Sequence, residues 1–165
     1  MASKALDPGH QFELDVFGIN SKSNLENNSN IYAPFKECLE RAIDIAKESN
    51  WPYLFPDKNL LIRPLLDEIR NILLSRNKPY TLEVWPSVGT RLDFFHSVDG
   101  FFLVREMGGK KERATLVLFD LTIAKKKRGG SKRFILRERN FKKYLHETAK
   151  RIANFIEKQF LRQQV

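Results

Sequence analysis

The sequence predicts an α/β fold: a single domain with a mixed central sheet flanked by helices. Three observations carry that expectation. The chain has 165 residues, of which 42% are hydrophobic and 30% charged, the length and balance of one domain with its own core. Its patterns run helix, helix, strand, strand, strand, short strand, helix, an order that suits helices packed against one sheet. Residues 101–104 (FFLV) and 115–123 (TLVLFDLTI) are nearly continuous apolar runs, the pattern of strands covered on both faces.

The elements follow in order. Phe12, Leu14, Val16 and Phe17 read as an early strand or an extended arm, and the polar run 20–30 reads as a loop. Pro34 opens a first helix to about Ser49, with Phe35, Cys38, Leu39, Ala42, Ile43 and Ala46 on one stripe. Residues 51–56 (WPYLFP) break it. A second helix runs from Leu60 or Pro64 to Arg76, with Leu65, Leu66, Ile69, Ile72 and Leu73 facing inward. Residues 80–85 form a strand rich in β-branched and aromatic side chains. A polar loop over 87–97 leads to the two apolar strands. A basic loop over 125–132, a short strand over 133–138 and a helix over 141–161 close the chain. The last helix turns Leu145, Ala149, Ile152, Ala153, Ile156 and Phe160 inward.

Composition excludes several classes. No stretch reaches the roughly 18 apolar residues of a membrane span, and residues 1–13 lack the apolar core of a signal peptide. Cys38 has no second thiol to pair with, so a small core residue in a reducing, cytoplasmic setting is expected. There is no Walker motif, no dinucleotide-binding glycine fingerprint and no Ser-His-Asp signature.

The net charge of +9 is uneven. Residues 105–143 hold fourteen Lys or Arg against four Asp or Glu, leaving the rest of the chain close to neutral. Such a local excess attracts polyanions, which makes nucleic acid the expected partner, with an anionic membrane surface the weaker alternative. Lys125, Lys126, Lys127, Arg128, Lys132 and Arg133, around Gly129-Gly130, form the candidate phosphate-gripping segment, giving affinity without sequence readout.

Acids interrupt the apolar strands at two places. Asp99 stands at the mouth of one, and Asp120 inside the next with Thr122 on the same face. A charge in a central strand is costly unless paired, hydrogen-bonded or metal-bound. If the strands are neighbours, the two acids converge into a hard oxygen site suited to Mg²⁺ or Mn²⁺. The alternative is that Asp99 caps a turn with Gly100 and Asp120 pairs with a basic side chain.

Helix, strand, strand opening with Asp, strand carrying Asp-x-Thr, and helix together resemble the restriction-endonuclease-like PD-(D/E)XK superfamily. The resemblance covers residues 60–163 and leaves 1–59 as an N-terminal addition with one helix. It implies that Asp99 and Asp120 are the metal-binding acids, that Glu68 on the preceding helix assists them, and that the chain is a Mg²⁺- or Mn²⁺-dependent endonuclease acting on DNA, with pairing into a homodimer an option. The triplet is Asp120-Leu121-Thr122, so Thr122 stands where the family carries Lys, and a hydroxyl cannot supply positive charge. Lys125, Lys126 or His96 are the candidates for the missing cation.

Asp93, His96 and Asp99 recur at spacings of three, which places His96 either beside the acids as a proton carrier or in a helical turn bonded to Asp93 or Asp99. Trp51, Tyr53, Phe55 and Trp85 read as core packing or a hinge rather than a base-stacking platform. Two further readings stand beside the nuclease: a nuclease-like module that binds nucleic acid without cutting it, and a basic domain that meets an acidic protein.

Overall fold

The computed structural model describes residues 7–19, 31–124 and 133–163. Its elements are α1 (Pro8–Phe17), α2 (Phe35–Glu48), α3 (Ile62–Ser75), β1 (Tyr80–Pro86), α4 (Arg91–His96), β2 (Gly100–Glu106), β3 (Ala114–Leu121), β4 (Arg133–Leu136), α5 (Glu138–Phe141) and α6 (Leu145–Arg162). The fold is α/β, with one mixed sheet in the order β1-β2-β3-β4. β1 to β3 form an antiparallel meander, and β4 runs parallel to β3. Among the described residues no helix is long and apolar enough to cross a membrane.

The start of the chain departs from the expected strand or arm. Residues 8–17 form α1 because local signals favour a helix at both ends. Asp7 accepts the N–H groups of Gly9 and His10, Pro8 takes the first helical position, and Gly18 ends the helix in the left-handed region at φ 68°. Phe12 and Val16, four apart, then share the buried face with Phe17. Phe17 stacks on Phe119 of β3 at 5.8 Å, tying α1 to the sheet.

The stretch 87–97, expected as a loop, contains the short helix α4, which His96 ends, although its ring bonds Ala33 O rather than Asp93 or Asp99. The single last helix divides at Lys142 into α5 and α6. The last strand stops at Leu136, because Arg137 already serves as the cap of α5 through Asn140.

α3 and α6 bury Leu65, Leu66, Ile69, Ile152 and Ile156, each fully enclosed, along with Phe102 and Phe119 of the sheet. Full burial of such side chains stabilises by about 1.5–3 kcal/mol each before chain entropy is counted. The WPYLFP break is packed as a brace on β1. Trp51 Nε1 donates to Val84 O at 2.8 Å, Val84 N donates to Tyr53 O at 2.9 Å, and Tyr53 stacks on Trp85 at 4.5 Å. Arg70 donates to Leu54 O and, at 2.9 Å, to Leu82 O. These contacts occupy the outer edge of β1, which would otherwise present open strand groups. Cys38 is buried, its thiol donating to Ala33 O.

Candidate functional site: a buried carboxyl cluster at the end of the β2–β3 pair

Asp99 directly precedes β2, and two bonds place it beside Asp120. Its N–H donates to Phe119 O at 3.0 Å, and its Oδ2 accepts the N–H of Leu121 at 2.7 Å. These bonds bracket Asp120, so the carboxyls lie together, 6% and 3% exposed. The antiparallel pairing of β2 with β3 is what brings them there. Ser87 holds the approach to β2: its N–H donates to Asp99 O and its hydroxyl to Val98 O. Asp99 therefore does not act as a simple turn cap. Its side chain bridges onto β3.

A third acid joins them. Asp93, on α4, hydrogen-bonds Asp99 and accepts Gly89 N–H through Oδ2 at 2.9 Å. Burial pushes the Asp99 carboxyl well above the usual carboxylate range, and the neighbouring Asp93 and Asp120 push it further the same way. Asp93 was visible in the sequence through its spacing of three from His96 and Asp99. The sequence offers it only as a partner of His96.

Arg133 supplies positive charge at the cluster. It opens β4 beside Leu118, and its Nε lies 3.9 Å from Asp120 Oδ2. The expected alternative of a basic side chain accompanying Asp120 is thus realised by a residue assigned, from sequence, to the polyanion-gripping segment. Thr122 lies just beyond β3. Its N–H donates to Leu136 O, and its Oγ1 accepts Ala124 N–H at 3.1 Å.

Two expected members are elsewhere. Glu68 is held by His146 Nδ1 at 2.6 Å, because α3 packs along α6 and turns that acid toward the start of α6. Asp93 is the third acid at Asp99 instead. His96 ends α4 with Nε2 directed at Ala33 O, 3.0 Å away, and its ring against Phe35 and Tyr32. A carbonyl only accepts, so Nε2 carries the proton, and the ring is a structural tie to the segment before α2. Its backbone carbonyl, in contrast, receives Arg133 Nη1 at 3.4 Å. Lys125, Lys126, Lys127, Arg128 and Lys132 lie outside the described residues.

The donor set fits Mg²⁺ or Mn²⁺ chemically, being hard carboxylate oxygens. Among the described residues no group of three or more His, Cys, Asp or Glu forms a cage for a metal ion. Mg²⁺ is commonly held by only one or two carboxylates, with waters and substrate phosphate completing its shell. Asp99 and Asp120 meet that requirement as a pair, with Asp93 bonded to Asp99.

A cleft of about 380 Å³ opens past the end of β3, lined by Thr122, Ile123, Arg137 and Arg139 and, across from them, Gln11 and Asp15 of α1. Arg139, Lys143 and Arg151 are exposed nearby on α5 and α6 and the turn between them. Comparison of the chain with protein-family models, with curated proteins and with solved structures returned no match.

Proposed function

We propose that this chain is a metal-dependent nuclease that hydrolyses DNA phosphodiester bonds on a restriction-endonuclease-like core. The observation that carries the reading is the crowding of Asp93, Asp99 and Asp120 at one end of the β2–β3 pair. Carboxyls placed this close favour a proton or a cation among them. A divalent ion there supplies a water of lowered pKa and neutralises charge on a phosphoryl group. Asp99 and Asp120 would hold the ion. Asp93, fixed by Gly89 N–H, would position Asp99, and the Leu121 N–H would keep the Asp99 carboxyl turned toward β3.

The local basic excess supports a nucleic-acid substrate. The arginines of the cleft wall are suited to the phosphate backbone, which sets affinity and register rather than sequence. The antiparallel pairing of β2 with β3 supports the core assignment, since it puts Asp99, at the entry to β2, against the Asp120 segment of β3.

A second reading is favoured by Thr122 and Arg133. The triplet lacks its Lys, and Asp120 has a guanidinium within ion-pair distance. On that reading the chain binds nucleic acid without cutting it. The deciding experiment is cleavage of labelled DNA and RNA in Mg²⁺, in Mn²⁺ and in EDTA by the wild type and Asp120→Asn. The nuclease reading expects cutting by the wild type alone, and only with metal. Binding by both proteins without cutting by either overturns it in favour of the binding module.

A further inference from the structure

Thr122 leaves a chemical gap at the carboxyl pair, and a residue on the adjacent strand reaches it. Arg133 stands beside Leu118 in the parallel β3–β4 register, and its guanidinium extends along β3 to Asp120. The 3.9 Å separation from Asp120 Oδ2 is an ion pair without a full hydrogen bond. The Nη1 bond to His96 O is long, at 3.4 Å. Nε itself is buried and has no hydrogen-bond acceptor among the described residues. Buried donors without an acceptor are uncommon in folded proteins and call for a reason. A guanidinium offers a planar fork that matches two oxygens of a phosphate. A quarter of the Arg133 side-chain surface is exposed, none of it at the buried Nε.

We propose that Arg133 is the phosphate-binding cation of this site, taking a non-bridging oxygen of a nucleic-acid phosphate on the solvent-facing part of its guanidinium, with Nε turned inward beside Asp120. The inference rests on the nuclease-like reading of Asp99 and Asp120 for where that phosphate lies. Its own evidence is the strand position and the bonding of the guanidinium. A strand holds the group more firmly than a loop lysine would be held, so the charge is set before the substrate arrives. Asp120 keeps the guanidinium near the carboxyls at ion-pair distance, without a full hydrogen bond to it.

The competing role is structural, with Arg133 serving only to neutralise Asp120. A binding cycle separates the two. The affinity of wild type, Arg133→Gln, Asp120→Asn and the double variant for a fluorescein-labelled DNA duplex is measured in EDTA over a KCl series. Phosphate binding predicts that Arg133→Gln weakens affinity roughly tenfold in both backgrounds, the loss of one charge-assisted hydrogen bond. It also predicts a salt slope smaller by about 0.9, one phosphate contact. Arg133→Lys, which retains charge but not the fork, keeps the slope and loses part of the affinity. If Arg133→Gln does not fold by circular dichroism, Arg133→Lys alone carries the test in both Asp120 backgrounds. Affinity that is unaffected by the Arg133 change once Asp120 is Asn overturns the proposal, as does absence of duplex binding by the wild type. Because EDTA prevents metal-dependent cutting, the result stands apart from the nuclease reading. A chain that binds through Arg133 and never cuts refutes only the latter, and one that cuts but binds independently of Arg133 refutes only the former.

Discussion

Replacing Asp99 by Asn removes its charge and keeps its shape, which isolates what the carboxyl cluster does to the metal-free protein. In the unfolded chain Asp99 titrates near the ordinary Asp value, about 3.9. In the folded chain burial, then Asp93 and Asp120, hold it well above that value. A carboxyl whose folded pKa is raised adds stability that is complete below the unfolded pKa and is lost as pH rises through the folded one. Over that window the wild type loses about 1.4 kcal/mol per pH unit relative to Asp99→Asn, which does not titrate. Asn retains an oxygen for Leu121 N–H, now held at 2.7 Å. Asp99→Asn is therefore expected to be the more stable protein at neutral pH in EDTA, and the gap closes toward pH ~4. Asp99→Ala leaves Leu121 N–H without its acceptor and is expected to fall about 1–3 kcal/mol below Asp99→Asn. Urea unfolding across a pH series, read from the buried Trp51 and Trp85, measures all three proteins. An Asn variant less stable than wild type at neutral pH, or a gap that does not change with pH, refutes the reasoning.

Gly100→Ala tests the packing under the site. A Cβ there would lie 2.5 Å from Phe17 Cζ and 2.6 Å from Phe119 Cζ, so a loss of about 1–3 kcal/mol in urea unfolding is expected. Trp51→Phe removes the donor to Val84 O and should lower stability by about 1–3 kcal/mol, with the largest gain in amide exchange along β1. Duplex binding should weaken steeply with salt, log affinity falling linearly with log salt at about 0.9 per phosphate contact. A flat response in a binding titration would argue for a protein partner instead.

The strands and the pair of acids near one end of β2 and β3 were legible in the sequence, because both rest on short-range signals. Two apolar runs predicted strands, with their adjacency left open, and the acids at the mouth of one and inside the other stood out against their cost of burial. α3 and α6 were read from their 3.6-residue stripes, and Leu65, Ile69, Ile152 and Ile156 are buried as expected. α1 is not legible as a helix from its apolar residues, which are few, and its helical signals sit at its ends, in Asp7, Pro8 and Gly18. The assignments of Glu68, His96 and Arg133 depend on tertiary packing. Which way α3 turns Glu68 is decided by its contact with α6, and the proximity of Arg133 to Asp120 is decided by a parallel register that no local pattern encodes.

The most direct test of the central claim, that Asp99 and Asp120 together form a divalent-cation site, is Mn²⁺ binding measured by calorimetry on the wild type, Asp99→Asn and Asp120→Asn, with and without a DNA duplex. The account predicts an ion bound by the wild type, more tightly with duplex present, and lost in each variant. Equal Mn²⁺ binding by all three proteins, or none by the wild type with duplex present, would contradict it.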